Sequence, residues 1–304
     1  MNNSQPITAS RRFKGILCGI LAAVCYGTNP LGALKLYAEG MSTGSVLFFR
    51  FGLAWCIIAL VMLFRSIPRN GKPVETLRVS AKEFGALTLL GLLFIVSSLT
   101  LYLSFRLMDA GVASTILFTY PVMTAVIMAV FFHEKLNWVT ILSIVLSFIG
   151  VALLYWGDGT TTLPIVGVIL VLLSALSYAL YIIVVNRANL VMSSFKINFY
   201  VLLYCAVGML AYTFLSGESL TVPHTFTGWF YVGWLAIVPA IMALVLMVYA
   251  AKYVGSTTTA ILGALEPLTA VLIGIFVFSE QFTVTLAVGI LLILSAVVLV
   301  VLKR

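Results

Sequence analysis

Charged residues are scarce in this chain: they make up 9% of its 304 residues, whereas hydrophobic residues make up 62%. Soluble domains carry about 25% charged and about 45–50% apolar residues, so an ordinary soluble protein is excluded. Intrinsic disorder requires low hydrophobicity and high charge, and it is excluded as well. Apolar runs of about 20 residues recur along the chain, and each can cross about 30 Å of hydrocarbon. The composition therefore predicts an all-α polytopic membrane protein.

Residues that support catalysis are also few. The chain has two histidines, and the predicted topology puts His133 and His224 on opposite sides of the membrane, where they cannot share a metal. No second histidine completes an HExxH motif after His133, and no GxxxxGK[ST] motif occurs. The four cysteines form no CxxC pair, which argues against a disulfide framework or a zinc site. We therefore expect no enzymatic activity, no cofactor and no metal.

The apolar runs predict ten transmembrane helices joined by short connections. The predicted spans are Phe13–Tyr37, Gly44–Phe64, Lys82–Phe105, Gly111–Phe132, Trp138–Trp156, Leu163–Asn186, Phe195–Leu215, Phe226–Tyr253, Ser256–Phe278 and Phe282–Leu302. Trp138 and Trp156 are 18 residues apart, or about 27 Å along a helix, the separation expected for interfacial tryptophans that flank one span.

The distribution of positive charge predicts the orientation. With the N-terminus inside, 14 of the 17 Lys and Arg residues fall on the cytoplasmic side, and Lys35, Arg50 and Arg106 fall in the outer half. The positive-inside rule then puts both termini in the cytoplasm. The net charge of +8 follows from this topology and does not indicate a nucleic-acid partner.

The chain also contains an internal repeat. Tyr120-Pro121 precedes Glu134 as Glu266-Pro267 precedes Glu280, at an offset of 146 residues. Near the start of each half, Gly15 and Tyr26 match Gly167 and Tyr178 at an offset of 152. The predicted halves are residues 1–157 and 158–304, with five spans each. Because five is odd, the second half inserts upside down, as in secondary transporters whose site lies at the midplane. Chance similarity between apolar helices is the alternative.

These residues resemble the EamA repeat of the drug/metabolite transporter superfamily. The likeness rests on a helix-internal proline followed by a terminal glutamate, on Phe49-Arg50-Phe51 in the second span and on Glu266-Pro267 in the ninth. The resemblance implies ten helices around a central cavity lined by spans 1, 3, 4, 6, 8 and 9, and export or exchange of small metabolites. Tyr120 departs from the pattern, because it stands where Glu266 stands in the other half.

Glu266 is the first candidate for a functional residue. It lies about ten residues into its span, roughly 15 Å deep, where an ionisable group is costly unless it is solvated, paired or protonated. It could bind a cationic part of the substrate or take up a proton; the alternative is a structural carboxylate. Pro121 and Pro267 are expected to act as structural anchors at bends. Arg50 is expected to act as a structural anchor near the outer interface.

Polar and aromatic residues recur at helical spacing on the spans expected around the cavity. Such faces suit a pocket for an organic solute, although any one of them could equally be a helix-packing contact. Together with Glu266, the predicted substrate-binding residues are Tyr26, Asn29, Ser98, Tyr102, Tyr120, Tyr178, Tyr181, Trp234 and Tyr249.

The sequence therefore predicts a secondary active transporter, an exporter or exchanger that works by alternating access. Its expected partners are the lipid bilayer, a small organic solute such as an amino acid and, if Glu266 takes up a proton, protons. The expected location is a bacterial cytoplasmic membrane. Exchange of drug-like or nucleotide-sugar-like solutes is the alternative within the family, and a polytopic subunit without transport activity is a more remote one. Whether the protein is a monomer or a homodimer stays open.

Overall fold

The computed structural model describes residues 9–66, 77–133, 138–156, 163–188 and 192–302, and in these ranges the chain is helical and has no strand. Thirteen α-helices are present in the described part. They are α1 (Ala9–Gly27), α2 (Asn29–Ala38), α3 (Thr43–Ser66), α4 (Ala81–Ser104), α5 (Ala110–Leu117), α6 (Tyr120–Phe132), α7 (Trp138–Trp156), α8 (Ile165–Arg187), α9 (Ser194–Leu215), α10 (Phe226–Ile237), α11 (Ala243–Leu262), α12 (Leu265–Phe278) and α13 (Val284–Leu302). A π-helical turn, Val238–Met242, joins α10 to α11.

Within the described residues, nine helical segments are long and apolar enough to cross a membrane, and a shorter apolar helix covers Val284–Leu299. Large apolar side chains such as Phe148 and Phe276 are mostly exposed on the outside of the bundle. Exposed apolar surface of this kind is suited to lipid. The prediction of an all-helical, multi-span membrane protein is confirmed. The count of ten spans and the inverted arrangement of residues 1–157 and 158–304 stay predictions.

Four of the predicted spans are interrupted. Residues of α1 and α2 form the first span, which breaks at Thr28, and α5 and α6 form the fourth. The π-helical turn interrupts the eighth span, and the ninth breaks between α11 and α12. Helix α11 itself combines the end of the eighth span and the start of the ninth, since Gly255 inside it has a left-handed φ of 83°. The two spans are therefore connected by a single residue in a left-handed conformation, which only glycine adopts without strain.

Proline accounts for the first of these breaks. Pro30 has no N–H, so it cannot donate the helical hydrogen bond to the carbonyl of Tyr26. The side chain of Asn29 donates to that carbonyl instead, at 2.9 Å. A freed carbonyl inside a membrane needs such a partner. The break is thus stabilised by a residue next to the proline.

Small residues allow the helices to approach closely. A Cβ atom on Gly15 would collide with Tyr253, and one on Gly19 would collide with Leu262. The Gly15-x-x-x-Gly19 pattern therefore packs α1 against α11 within one chain. Between α4 and α8, the Ser174 hydroxyl donates to the Ser97 carbonyl at 2.7 Å. Other extensive contacts join α3 to α9 and α7 to α13.

Candidate solute-binding site

Three of the helix breaks lie together in the interior. A Cβ atom added to Gly27, at the end of α1, would lie 2.5 Å from the Thr269 Cβ and 2.6 Å from the Glu266 carbonyl oxygen, so these backbones touch. A Cβ atom on Gly263, in the break before α12, would lie 3.8 Å from the ring of Phe118, which ends α5. The breaks in spans 1, 4 and 9 therefore surround one region.

Glu266 lies at the second position of α12. Its backbone N–H donates to the Gly263 carbonyl at 2.9 Å, in a tight turn that begins the helix. No described residue donates a hydrogen bond to its carboxylate. The first turn of a helix has free N–H groups and a positive dipole end, both of which stabilise a carboxylate. The break thus creates an electrostatically suitable position for a buried anionic side chain.

Three tyrosines gather around this carboxylate, and a fourth packs against one of them. Tyr26, Tyr120 and Tyr178 all lie within electrostatic range of Glu266. The rings of Tyr120 and Tyr178 are 4.8 Å apart in an edge-to-face arrangement, and Tyr178 stacks on Tyr181 at 5.9 Å. These are favourable geometries for aromatic pairs. The sequence had placed the four tyrosines on three different spans, and the structure brings them into one cluster.

The cluster borders accessible space. Tyr26, Tyr120, Tyr178 and Glu266 are enclosed by protein. Each nevertheless keeps part of its surface accessible, unlike neighbours such as Ala270, which is fully buried. A side chain that is deep in the protein and still accessible is typical of the wall of an internal cavity. The arrangement can accommodate a small organic molecule against tyrosine rings and hydroxyls.

A hydrogen-bonded chain leads from Arg50 into this cluster. Nη1 of Arg50 donates to the Tyr102 hydroxyl at 2.6 Å, and that hydroxyl donates to Oδ1 of Asn29 at 3.3 Å. Tyr102 is fixed further by Tyr37, whose hydroxyl donates to the Tyr102 carbonyl at 3.0 Å. Because Asn29 also bonds Tyr26, the chain reaches the break in span 1. Three of the predicted site residues are thus linked directly.

Arg50 is more deeply placed than a residue at the interface. It is 8% exposed, and its guanidinium lies over the rings of Phe51 and Tyr102, 5.1 Å and 5.3 Å from their centroids. Its Nε has no hydrogen-bond partner, and no carboxylate in the described ranges pairs with it. It lies within electrostatic range of Tyr26. The expected role of Arg50 as an anchor stays a prediction, while its position joins it to the predicted site.

Two other predicted residues lie near the same breaks. The indole Nε1 of Trp234 donates to the Thr28 hydroxyl at 3.2 Å, at the break in span 1. Ser98 is buried on α4, one turn before Tyr102. Pro121 and Pro267 lie in the first turns of α6 and α12, directly after breaks, where a missing N–H costs little. A break thus precedes each proline, while the expected role of the two prolines as structural anchors stays a prediction.

Tyr249 is placed differently from the other predicted site residues. It is 47% exposed, and its ring stacks on Tyr253 at 6.2 Å. No recorded ring contact or hydrogen bond joins it to the tyrosine cluster. Sequence reasoning also missed Phe94, whose ring lies 5.4 Å from Tyr181 and extends the cluster toward Phe51. An apolar phenylalanine on an apolar helix carries no signal that could have singled it out.

A second polar region lies where α12 ends. The carboxylate of Glu280 contacts the start of α5, beside a cavity of about 380 Å³ whose wall includes Asp109 and Thr283. Desolvation, followed by repulsion from Asp109, raises the pKa of Glu280 despite two backbone hydrogen bonds that lower it. Desolvation also raises the pKa of Asp109. Glu134, the counterpart of Glu280 in the repeat, lies outside the described residues.

Metal binding finds no support in the described ranges, where no three His, Cys, Asp or Glu side chains lie close enough to hold an ion. A further hollow of about 640 Å³ is apolar and lies between α6, α7 and α8, and none of the four tyrosines lines it. The tyrosine cluster with Glu266 and Arg50 is therefore the candidate solute-binding site.

Apolar helices that break around a buried, charged centre are characteristic of membrane transporters. Comparison with known proteins agrees: the EamA-like transporter family matches residues 13–156 and 165–302. The chain belongs to the EamA-like transporter family, within the drug/metabolite transporter superfamily. The resemblance seen in the sequence is thereby confirmed.

Curated relatives carry the same general description. An "uncharacterized transporter" of Archaeoglobus fulgidus is 28% identical over 280 residues, which cover 92% of this chain and 93% of the relative. An "uncharacterized transporter" of Clostridium kluyveri is 22% identical, and the matched region covers 92% of this chain and 91% of that relative. A solved structure described as "Crystal structure of protein" superposes with a TM-score of 0.64 at 16% identity, covering 95% of this chain and 96% of the other. That likeness concerns the fold alone.

Proposed function

We propose that this protein is a secondary active transporter that exports or exchanges small organic metabolites, with amino acids as the best candidate class. The observation that carries the proposal is Glu266: a carboxylate at a helix break, inside an enclosed cluster of tyrosines, without a hydrogen-bond donor among the described residues. A carboxylate in the membrane interior is costly and is typical of a substrate or ion pathway.

Glu266 has two roles open to it in such a transporter. It can bind the ammonium group of a solute, and it can take up a proton when the solute leaves. Both roles require that solute or water can reach the carboxylate, and the partly accessible side chain is consistent with that. Both also use the same electrostatics, since the positive end of the helix dipole stabilises the ionised form.

Alternating access is supported by the breaks themselves. Short helices α2, α6 and α12 each begin at the candidate site, so each can tilt without deforming the helix that precedes it. In the proposed mechanism, residues 1–157 and 158–304 are inverted repeats that rock around the site. The charge distribution supports cytoplasmic termini, and the short connections are consistent with a bacterial cytoplasmic membrane.

Drug-like or nucleotide-sugar-like solutes are the alternative within the family. A nucleotide sugar carries a diphosphate, which needs several cations, whereas the candidate site contains Arg50 and the carboxylate Glu266. A large aromatic drug would suit the tyrosine rings but would leave Arg50 without a partner. The presence of one cation and one anion in the candidate site favours an amino acid over a nucleotide sugar or a drug.

Counterflow in proteoliposomes tests the function. Vesicles are loaded with amino acids, amines, carboxylic acids or sugar phosphates, and entry of the labelled solute is followed for wild type, Glu266→Gln and Glu83→Gln. Glu83 is an exposed capping-box residue, and glutamine preserves that motif, so the variant is a matched control.

We expect saturable counterflow in wild type, a loss of at least tenfold in Glu266→Gln and a change of less than twofold in Glu83→Gln. Counterflow in Glu266→Gln with the wild-type rate and pH dependence would contradict the role of Glu266. The absence of counterflow by wild type with every solute of the panel would contradict transport itself.

A further inference from the structure

We propose that Arg50 is the specificity-determining residue of this site and that it binds a carboxylate of the transported solute, so that the solute is a zwitterion held between Arg50 and Glu266. The inference rests on the proposed transport function and deepens it. It departs from the sequence-based expectation that Arg50 is an anchor.

The first argument is the incomplete pairing of Arg50. Arg50 as a residue is 8% exposed and its Nε is fully buried, and a charge in such surroundings needs hydrogen bonds or a counter-ion. Arg50 has one hydrogen bond, from Nη1 to the Tyr102 hydroxyl, and its Nε is left without an acceptor. No described carboxylate pairs with it. A purely structural arginine in a membrane protein normally satisfies these donors with side chains or carbonyls.

The second argument is the geometry of the free donors. The rings of Phe51 and Tyr102 lie against the guanidinium, within 5.3 Å of its central carbon. Because these rings already pack against the guanidinium, a further partner of Arg50 has to bind at the N–H groups in its plane. A carboxylate fits such a fork with two parallel hydrogen bonds. Tyr102 holds the side chain in this orientation and is therefore a positioning residue.

The third argument is the relation of Arg50 to Glu266. A hydrogen-bonded path runs from Arg50 through Tyr102 and Asn29 to Tyr26, and Tyr26 is within electrostatic range of both charges. Arg50 and Glu266 nevertheless form no ion pair with each other. Two opposite charges are thus held in one enclosed region and kept apart.

The separated charges define the class of solute. An amine would leave Arg50 without a counter-ion, and a simple carboxylic acid would do the same to Glu266. A zwitterion satisfies both at once and brings no net charge into the membrane interior. The rings of Tyr120, Tyr178 and Tyr181 then provide an apolar and aromatic surface for the remainder of the solute.

The two other cations of the predicted outer half lie elsewhere in the described structure. Lys35 lies over the ring of Phe278, and Arg106 lies over the ring of Tyr37. Both belong to the predicted outer ends of the helices, away from the breaks. Arg106 is therefore a suitable control, because its removal changes the net charge by the same amount outside the cluster.

The experiment compares solutes that differ only in their charged groups. One set is phenylalanine, 2-phenylethylamine and 3-phenylpropanoate; the other is leucine, 3-methylbutylamine and 4-methylpentanoate. Binding to the purified protein in detergent is measured by the rise in melting temperature over a concentration series, and transport by competition in counterflow. The proteins are wild type, Arg50→Gln, Arg50→Lys, Tyr102→Phe and Arg106→Gln.

For at least one set, we expect wild type to prefer the amino acid over its amine by at least tenfold. Arg50→Gln should reduce that preference to less than twofold while binding of the amine persists, and Arg50→Lys should retain part of it. Tyr102→Phe should weaken it by threefold or more, and Arg106→Gln should leave it unchanged. A structural role of Arg50 would lower protein yield or stability without altering this ratio.

Three outcomes overturn the inference. The first is an unchanged preference for the amino acid over its amine in Arg50→Gln. The second, if the glutamine variant does not fold, is an unchanged preference in Arg50→Lys. The third is a wild type that prefers neither amino acid over its amine. Failure of the proposed function is recognised separately, since it is a lack of counterflow by wild type with any solute. Binding in detergent still decides the role of Arg50 in that case.

Discussion

The carboxylate of Glu280 accepts a hydrogen bond of 2.9 Å from the backbone N–H of Ala110, the first residue of α5, although the two residues are 170 positions apart in the chain. Its second oxygen accepts from the N–H of Gly111 at 3.3 Å. A side chain that follows α12 thus caps the start of α5, and the positive end of that helix favours the negative charge. The ends of two broken spans are joined by one residue.

Removing this cap should destabilise the protein. Hydrogen bonds to charged groups contribute about 1.5–3 kcal/mol, so we expect Glu280→Ala to lower the free energy of unfolding by about 1–2 kcal/mol, since the group is partly exposed. The melting temperature of the purified protein in detergent measures the effect. Gln281→Ala, at an exposed neighbouring position, is the control and should change it little. Equal melting temperatures for the two variants would show that the cap contributes nothing.

The space occupied by the Glu280 carboxylate gives a second prediction. A Cβ atom on Gly274, in α12, would overlap that carboxylate, whereas Gly233, in α10, has no atom within 4 Å of the same position. We expect Gly274→Ala to destabilise the protein by about 1–2 kcal/mol, because the methyl group would displace the Glu280 carboxylate from the two N–H groups that it binds. Gly233→Ala should be neutral or stabilise it by up to about 1 kcal/mol, because alanine favours helix. Thermal melting in the same detergent compares the two, and a stabilised Gly274→Ala would contradict the packing described.

The pH dependence of stability follows from the same region. The pKa values of Asp109 and Glu280 are both raised in the folded protein, Asp109 by desolvation and Glu280 by desolvation and by the charge of Asp109. A carboxyl group with a raised pKa holds its proton longer when folded than when unfolded. It therefore favours the folded state at low pH, and this contribution is lost as the pH rises above the ordinary carboxyl pKa.

The variant Asp109→Asn isolates this effect from other titrating groups. Asp109 precedes α5 and makes no capping hydrogen bond with its side chain, so asparagine removes the charge without removing a cap. We expect Asp109→Asn to melt at a higher temperature than wild type at pH 7, with the difference shrinking toward pH 4.5. A constant difference between the two proteins across this range would mean that neither pKa is raised.

Much of the fold could be predicted from the pattern of apolar residues. The predicted Trp138–Trp156 span coincides with α7, because tryptophans mark both ends of the apolar run. Pro121 and Pro267 indicated the breaks in the fourth and ninth spans, but the break at Thr28 also depends on a contact that the sequence does not reveal. Its stability depends on Trp234, which donates a hydrogen bond to Thr28 from 206 residues away. Local sequence contains no information on such a partner.

The candidate site was likewise predictable from the sequence only in part. Tyr26, Tyr120 and Tyr178 were predicted from helical periodicity and the repeat, and the structure groups them. Tyr249 was predicted from the same periodicity, but the π-helical turn Val238–Met242 lies between it and Trp234. A π-helical turn contains more residues per turn, so it rotates everything that follows out of the 3.6-residue register. The exposed position of Tyr249 follows from that rotation.

Arg50 could not be placed from the sequence. Its depth in the second span permits a long side chain to extend to the outer interface or to turn inward. In the structure, the Arg50 guanidinium donates a hydrogen bond to the hydroxyl of Tyr102, 52 residues away, and lies over the ring of Phe51. These two contacts fix the direction of the side chain. The pairing of remote residues decides the direction, and a single sequence does not reveal it.

Gly27 provides a test of whether the meeting point of the breaks matters for function. A methyl group there would overlap both Thr269 and the backbone carbonyl of Glu266, and the carbonyl cannot move away without displacing the start of α12. We expect Gly27→Ala to destabilise the protein by about 1–3 kcal/mol. Counterflow should fall at least tenfold, because Glu266 would be shifted relative to Tyr26.

Gly52→Ala is the matched control: it lies in α3 with no atom within 4 Å of an added methyl group, and it should keep both stability and counterflow. A Gly27→Ala protein that melts like wild type would show that the two breaks are not in contact. One that is destabilised but transports at the wild-type rate would separate this contact from solute binding and confine its role to folding.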